Sequence, residues 1–409
     1  MLNANKIYDW LIVFLIALGA LGDMFAPFTL QRIFAILFVP AAAVLYVKYR
    51  KAIPLCVGLF FVIWITASVI SLIWTPDRTA GLKALAYNIC SVAVYLEIVL
   101  FSLKANNPLK SILIGWTTFF TMTLFVALWE IFTNQHLPLN GQDDVSIMSM
   151  TGKRVWMIYA SVTFTNYNTY VLIILYCMPF ILASIAYFRH VKWWYWLLLA
   201  GAVFVLLINS SRGGIACMGL MFLVMLWFYS KNRMINRFVL ILIIAAMIGG
   251  VLYYSDFVLD QVIGRFSHQN VFEDDIRENI YMRALRILIE SLGVGCGIGG
   301  IQVSLEQLSA NGVSAMHNMF LEMLVQYGIV PFIAFMIVLF MTFKSLLKSD
   351  YPLSRFFGIT MLLVLIPLSV INSTYLLDQN FWILWACLFV IGHLTLDKQT
   401  EPERQLEVQ

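Results

Sequence analysis

Charge is what this chain has least of. Only 12% of its 409 residues are charged while 61% are hydrophobic, and the mean hydropathy is +0.86. An ordinary water-soluble domain carries about 25% charged residues. That scarcity excludes a soluble globular protein and points to an integral membrane protein. Cysteine is nearly as uninformative. Of six, Cys56, Cys90, Cys177, Cys217 and Cys387 fall in apolar runs, and only Cys296 stands in a polar segment, which excludes a loop disulfide framework and a cysteine metal cluster. The chain has no G-x-x-x-x-G-K-[ST], so no ATP-driven engine is evident. It also lacks an internal repeat, a low-complexity tract and a secretory signal, because the first apolar run follows a single Lys6 without a small-residue cleavage site. That run is expected to stay as the first helix.

What is present is a series of apolar runs of the length that helices need to cross a hydrocarbon layer about 30 Å thick. Twelve are expected, near 10-22, 33-47, 52-74, 84-103, 111-129, 158-188, 193-209, 214-230, 238-254, 319-343, 356-374 and 380-396. With the amino terminus inside, Lys48, Arg50, Lys51, Lys104, Lys110, Arg189, Lys192, Lys231, Arg233, Arg237, Lys344, Lys348 and Arg355 fall on the cytoplasmic side. Together with Lys6, Lys398 and Arg404 they make 16 of the 26 basic residues, the bias of the positive-inside rule. The net charge of +4 is therefore a topology signal and no argument for nucleic acid. The fold expected is an all-α polytopic bundle forming one membrane domain over 1-409. Outer loops are expected at 130-157 and 255-318, and a cytoplasmic tail at 397-409.

Within this frame one arginine is out of place. Arg212, in NSSRGG (209-214), interrupts an otherwise uncharged run from Trp193 to Ser230, where a charge at mid-membrane costs at least about 2.5 kcal/mol. The topology puts it at the outer turn of a tight helical hairpin, with Gly213 and Gly214 permitting the turn. The large outer loop carries Arg265, Arg277, Arg283 and Arg286. Its stretch IRENIYMRALRILIESLG spaces Ile276, Ile280, Leu285, Ile287, Leu288 and Leu292 as a helix able to lie along the membrane surface. In HNMFLEMLVQYGIVP (317-331), His317 tops the tenth span as an imidazole able to accept a proton near neutral pH. Asn318 orients a ligand or caps the helix, and Glu322 lies a turn deeper. In TFTNYNTY (163-170), Asn166 and Asn168 line a polar cavity or cap a helix. GVGCGIGG (293-300) spells a dinucleotide loop through Gly295, Gly297 and Gly300, but it has no strand before it and lies on the wrong side of the membrane. The glycines are expected to serve backbone freedom or close helix approach.

The order SSRGG, DDIRENIYMRAL with GVGCGIGG, and HN followed by Gly328 resembles the O-antigen ligase and O-antigen polymerase superfamily over residues 155-345, and TFTNYN is similar to its asparagine-containing element. The chain departs from the pattern in placing Pro331 where members often carry a small turn residue. The resemblance implies a GT-C-like, metal-independent glycosyltransferase of the bacterial plasma membrane, working on its outer or periplasmic side without a cofactor. Its donor would be an undecaprenyl-pyrophosphate-linked oligosaccharide in membrane lipid. Its acceptor would be another glycan (O-antigen, capsule or exopolysaccharide polymerase) or lipid A-core (ligase), with a chain-length regulator as a further partner. Polymerase is the preferred expectation, then ligase, with a polysaccharide flippase as the reading from another class. Mapped here, Arg212 and Arg277 would hold pyrophosphate and His317 would be the general base. Arg265, Arg283, Arg286, Asn166, Asn168, Asn318 and Glu322 would contact substrate.

Overall fold

A computed structural model describes residues 4-137, 146-148, 154-156, 158-164, 166-188, 192-209, 211-229, 271-307, 316-373 and 375-393. Among these residues the chain forms a helical bundle. Its helices are α1 (Ala4–Ala17), α2 (Leu30–Tyr49), α3 (Leu55–Ser71), α4 (Arg78–Lys104), α5 (Pro108–Thr133), α6 (Tyr167–Tyr187), α7 (Lys192–Ile208) and α8 (Arg212–Tyr229). They continue as α9 (Val271–Glu290), α10 (Ile301–Gln307), α11 (Met319–Tyr327), α12 (Ile329–Lys348), α13 (Pro352–Leu368) and α14 (Gln379–His393). Nine of the twelve expected runs each overlap one of these helices, 158-188 and 319-343 do so only in part, and 238-254 lies outside the described residues, as do Arg265 and the tail. Segment 130-157 contains one small hairpin, in which β1 (Ser146–Met148) pairs antiparallel with β2 (Arg154–Trp156).

Helices α2, α4, α5, α6 and α12 are long and apolar enough to cross a membrane. Their surroundings differ. α6 and α14 are buried along nearly their whole length, so they are apolar all round because they meet other helices on every side. α2, α3 and α12 bury one face and leave Leu37, Val47, Leu59 and Phe340 exposed on the other, the pattern of helices whose outer face meets lipid. Polar caps end the helices: Asp77 accepts from the Thr79 and Ala80 amides, and Asn107 accepts from the Lys110 amide.

Two apolar runs do not fold as expected. Residues 319-343 are not one helix. They break at Gly328 (φ 85°) into α11 and α12. The break admits the glycine-rich segment: the Cys296 amide donates to the Val325 carbonyl (2.9 Å), Gly297 to Gln326 (3.1 Å), and Ile329 back to Gly293 (2.9 Å). Pro331 falls at the third position of α12, where a helix has no use for its missing N–H. Likewise 158-188 is helical only from Tyr167. Its first part is a buried loop, because side chains elsewhere take its backbone groups.

The glycines of 293-300 are where close approach is needed. Gly293, Gly295, Gly297 and Gly299 all have positive φ. A Cβ on Gly295 would lie 2.7 Å from the Val325 oxygen, and one on Gly297 would lie 2.9 Å from the Ser71 oxygen. The segment is pinned to the ends of α3 and α4: Trp74 Nε1 donates to the Gly295 oxygen (3.1 Å), Thr75 Oγ1 to the Ile298 oxygen (2.8 Å), and the Ile298 amide to Ser71 Oγ (3.0 Å). Cys296 is buried here, and burial pushes its thiol up to about 12, so it is a protonated packing residue and no nucleophile. Gly328→Ala is expected to destabilise strongly. The new Cβ clashes with the Val294 oxygen, and left-handed backbone costs an L-residue about 1–2 kcal/mol in itself. A fall in melting temperature in detergent measures this, and an unchanged melt would show that the α11–α12 break is not needed.

Candidate functional site

The chain reverses direction repeatedly, so the starts of α6, α8 and α11 come to one end of the bundle. There the residues singled out in the sequence are held by groups that the sequence did not advertise. Asn209, first residue of NSSRGG, is fully buried. Its Oδ1 accepts from the Ala160 amide (2.8 Å) and its Nδ2 donates to the Ala160 carbonyl (2.9 Å). Glu130, assigned from the sequence to a loop, instead lies in α5, and its Oε2 accepts from the Ser161 and Val162 amides at 2.8 Å each. His136 Nδ1 stands 3.6 Å from its other oxygen, with the ring stacked on Tyr159. Thr163 Oγ1 donates to the Ala20 carbonyl. Loop 158-164 is thus a buried coil whose polar groups are satisfied from α5, the end of α7 and the α1 turn.

Ser211, next after the reversal, caps α8 by accepting from the Gly214 amide (3.3 Å). Arg212 is the first residue of α8, so Gly213 and Gly214 lie in its first turn and do not make the reversal. The expected role of the glycines is corrected. They let α8 approach its neighbours, since a Cβ on Gly213 would lie 3.1 Å from Ile371 and one on Gly214 would lie 2.8 Å from Val171.

His317 is half-buried with φ 47°, an uncommon conformation for a non-glycine residue. It precedes Asn318, which caps α11 by accepting from the Leu321 amide (3.1 Å). Glu322 is buried in the first turn of α11, where an acid suits the helix dipole. Tyr281 Oη donates to the His317 carbonyl (3.4 Å), tying α9 to this point. Arg277 lies in the same helix, one turn before Tyr281. Arg283 is half-buried in that helix. Arg286 is exposed and ion-paired with Glu290 at 2.7 Å, an arrangement of small energetic consequence. Asn166 caps α6 by accepting from the Asn168 amide (2.7 Å), so helix capping, one of the two roles read for this pair, is present.

What joins these elements is a turn that the sequence reading absorbed into an apolar span. After α13, the Ser369 carbonyl accepts from the Met319 amide beside Asn318 (2.9 Å), and Ile371 packs on Gly213 beside Arg212. Asn372 Nδ2 donates to Thr169 Oγ1 in the first turn of α6 (2.7 Å). The turn is itself pinned by Tyr375, whose Oη accepts from the Asn372 amide (3.0 Å) and donates to the Leu368 carbonyl. The polar letters of VINSTYLLD after an apolar run were the available signal. Behind the turn, burial pushes the Asp378 carboxyl up to about 7; the Asn380 amide opposes that shift, Asp23 adds to it, and Arg32 opposes it. Arg32 stacks on Tyr87 at 3.5 Å and donates to the Pro27 and Leu377 carbonyls.

Chemically, the turn gathers three helix amino termini, those of α6, α8 and α11. Each presents the positive end of a helix dipole, with an amide already bonded to its cap Asn166, Ser211 or Asn318. An arginine position opens one of these helices, and a histidine stands just ahead of another.

Residues 195–336 match the family model described as O-antigen ligase, and that interval contains Arg212, the glycine segment and His317. Over that interval the chain is similar to the O-antigen ligase family. The chain is also 22% identical over 289 residues to the teichuronic acid biosynthesis protein TuaE of Bacillus subtilis (strain 168). That match covers 66% of the present chain and 56% of the relative, so the chain spans little more than half of that protein's length. Arg212, Arg277 and His317 lie inside the matched segment, whereas Asn166, Asn168 and the bracing residues Glu130, Thr169 and Asn372 lie outside it.

Proposed function

We propose that the protein is a glycosyltransferase that transfers an undecaprenyl-pyrophosphate-linked glycan on the outer side of the bacterial plasma membrane, adding it to the end of another glycan and so polymerising repeat units. The observation that carries this reading is the convergence of the Arg212 and His317 helix starts, with those of Asn166 and Asn318, on the Ser369–Asn372 turn. His317 takes the proton from the acceptor hydroxyl, and the freed oxygen attacks the anomeric carbon of the donor sugar. The bond from that carbon to the pyrophosphate oxygen breaks, leaving undecaprenyl pyrophosphate. Arg212 and Arg277 receive the charge that gathers on the leaving group, because a guanidinium fork fits phosphate oxygens and remains charged throughout. The three helix amino termini add to the same field. Arg265, Arg283 and Arg286 are further candidates for the donor, and Glu322 for sugar hydroxyls.

Polymerisation is favoured over ligation because the relative's name concerns biosynthesis of teichuronic acid, which speaks of building a glycan. The ligase reading rests on the description of the matched family. Purified protein given an undecaprenyl-pyrophosphate-linked repeat unit, alone or with lipid A-core, separates the two on a gel. A ladder from the repeat unit alone is expected. Product only with lipid A-core makes it a ligase, and no product with either removes the transfer reading for these glycans.

A further inference from the structure

Helix α9 has two apolar faces, and among the described residues only one packs inside the protein. Ile280, Ala284 and Ile287 are buried in a small core with Cys296, Leu305 and Val325. On the other side Met282, Leu285 and Ile289, spaced i, i+3, i+7, are exposed, Ile289 at 73%. The row continues past the helix into the turn, where Leu292 is 91% exposed and Val294 is half exposed. Leu292 holds φ 53°, a conformation unfavourable for leucine. The fold therefore spends backbone strain on a position where the side chain makes almost no contact with the protein.

This row does not stop at the turn. Gly293 lies against Ile329, the first residue of the membrane-length helix α12. Ile329, Val330 and Ile333 are exposed on α12, as are Ile73 and Trp74 at the adjoining end of α3. Trp74 donates to the Gly295 carbonyl, so its ring belongs to the same surface. An exposed apolar face on a membrane helix meets acyl chains, and tryptophan concentrates at the boundary between acyl chains and headgroups. Arg286 and Glu290 flank the row and are exposed, giving the apolar strip with charged margin of a helix lying in that boundary.

We propose that the Met282–Ile289 face of α9 and the Leu292–Val294 turn are immersed in the lipid leaflet at the His317 end of the bundle, so that α9 is an interfacial helix anchored by its own side chains. The partner is the bilayer itself, identified by continuity with the lipid-facing sides of α3 and α12. Whether or not the protein transfers glycans, this placement sets Arg277 and the Tyr281 contact to His317 at headgroup depth.

The test uses the full chain in phosphatidylethanolamine and phosphatidylglycerol vesicles, with Cys56→Ala removing the one half-buried thiol among six. Leu292→Cys and, separately, Ile289→Cys carry a bimane label. Blue-shifted emission and a clear loss of intensity on replacing the lipids with ones brominated high on the acyl chain are expected at both positions. Water-like emission unaffected by brominated lipid would overturn the proposal. So would blue-shifted emission insensitive to brominated lipid, which would mean that protein covers the face; disulfide cross-linking of the unlabelled Leu292→Cys chain then tells whether a second copy does so.

Discussion

Arg212→Ala and Arg212→Lys are both expected to leave the protein inserted and folded while lowering transfer by about 10²- to 10³-fold, the loss that follows removal of one positioned donor to a developing anion. Lysine is expected to fail nearly as badly as alanine, because it offers a single point charge where the leaving pyrophosphate presents paired oxygens. The position supports this. Arg212 opens α8 directly after its Ser211 cap and beside Gly213, which packs on the Ser369–Asn372 turn. An arginine serving only to anchor the helix at the membrane surface would tolerate lysine, which reaches the same boundary. Single-turnover transfer with the lipid-linked repeat unit, normalised to folded protein by its melt, separates the two cases. Full activity in the lysine variant would remove phosphate recognition from the role of Arg212. The same assay applied to His317→Ala reports on the base.

Asn209→Ala is expected to have the largest effect on stability. Asn209 serves both the amide and the carbonyl of Ala160 in a fully buried site, and each buried group left unsatisfied costs about 1–3 kcal/mol. Ser211→Ala removes only a helix cap, worth about 0.5–2 kcal/mol. The melting temperature in detergent is therefore expected to fall further for Asn209→Ala than for Ser211→Ala. The reverse order would mean that loop 158-164 is held mainly by Glu130 and Thr163. Activity per folded molecule is expected to fall as well, since the Asn209 latch fixes the chain three residues before Arg212.

The six letters of NSSRGG show how far the sequence reached. Arg212 was legible because a charge in an apolar run is costly wherever it occurs, and no partner need be known to see the cost. The work of its neighbours was not legible. Asn209 acts on Ala160, 49 residues away, and the glycines act on Ile371 and Val171, so the local reading of a glycine turn was displaced by packing. His317 and Asn318 were found from their motif. Their connection to Thr169 through the Ser369–Asn372 turn was hidden, because the turn follows an apolar run without a charge to mark it. Glu130 was read as a loop residue for a related reason: a buried carboxylate serving two amides looks in sequence like the polar end of a span.

By itself the sequence determined the class of solvent, the helical architecture and the position of most apolar helices among the described residues. Hydropathy is a local property, and a bilayer admits few backbone solutions. Only the tertiary structure decided that the tenth apolar run breaks at Gly328, that the glycine segment fills the break, and that the starts of α6, α8 and α11 share one turn. Those outcomes depend on close approaches of backbone and side chains far apart in the chain, where a Cβ or an unmet hydrogen bond decides what fits.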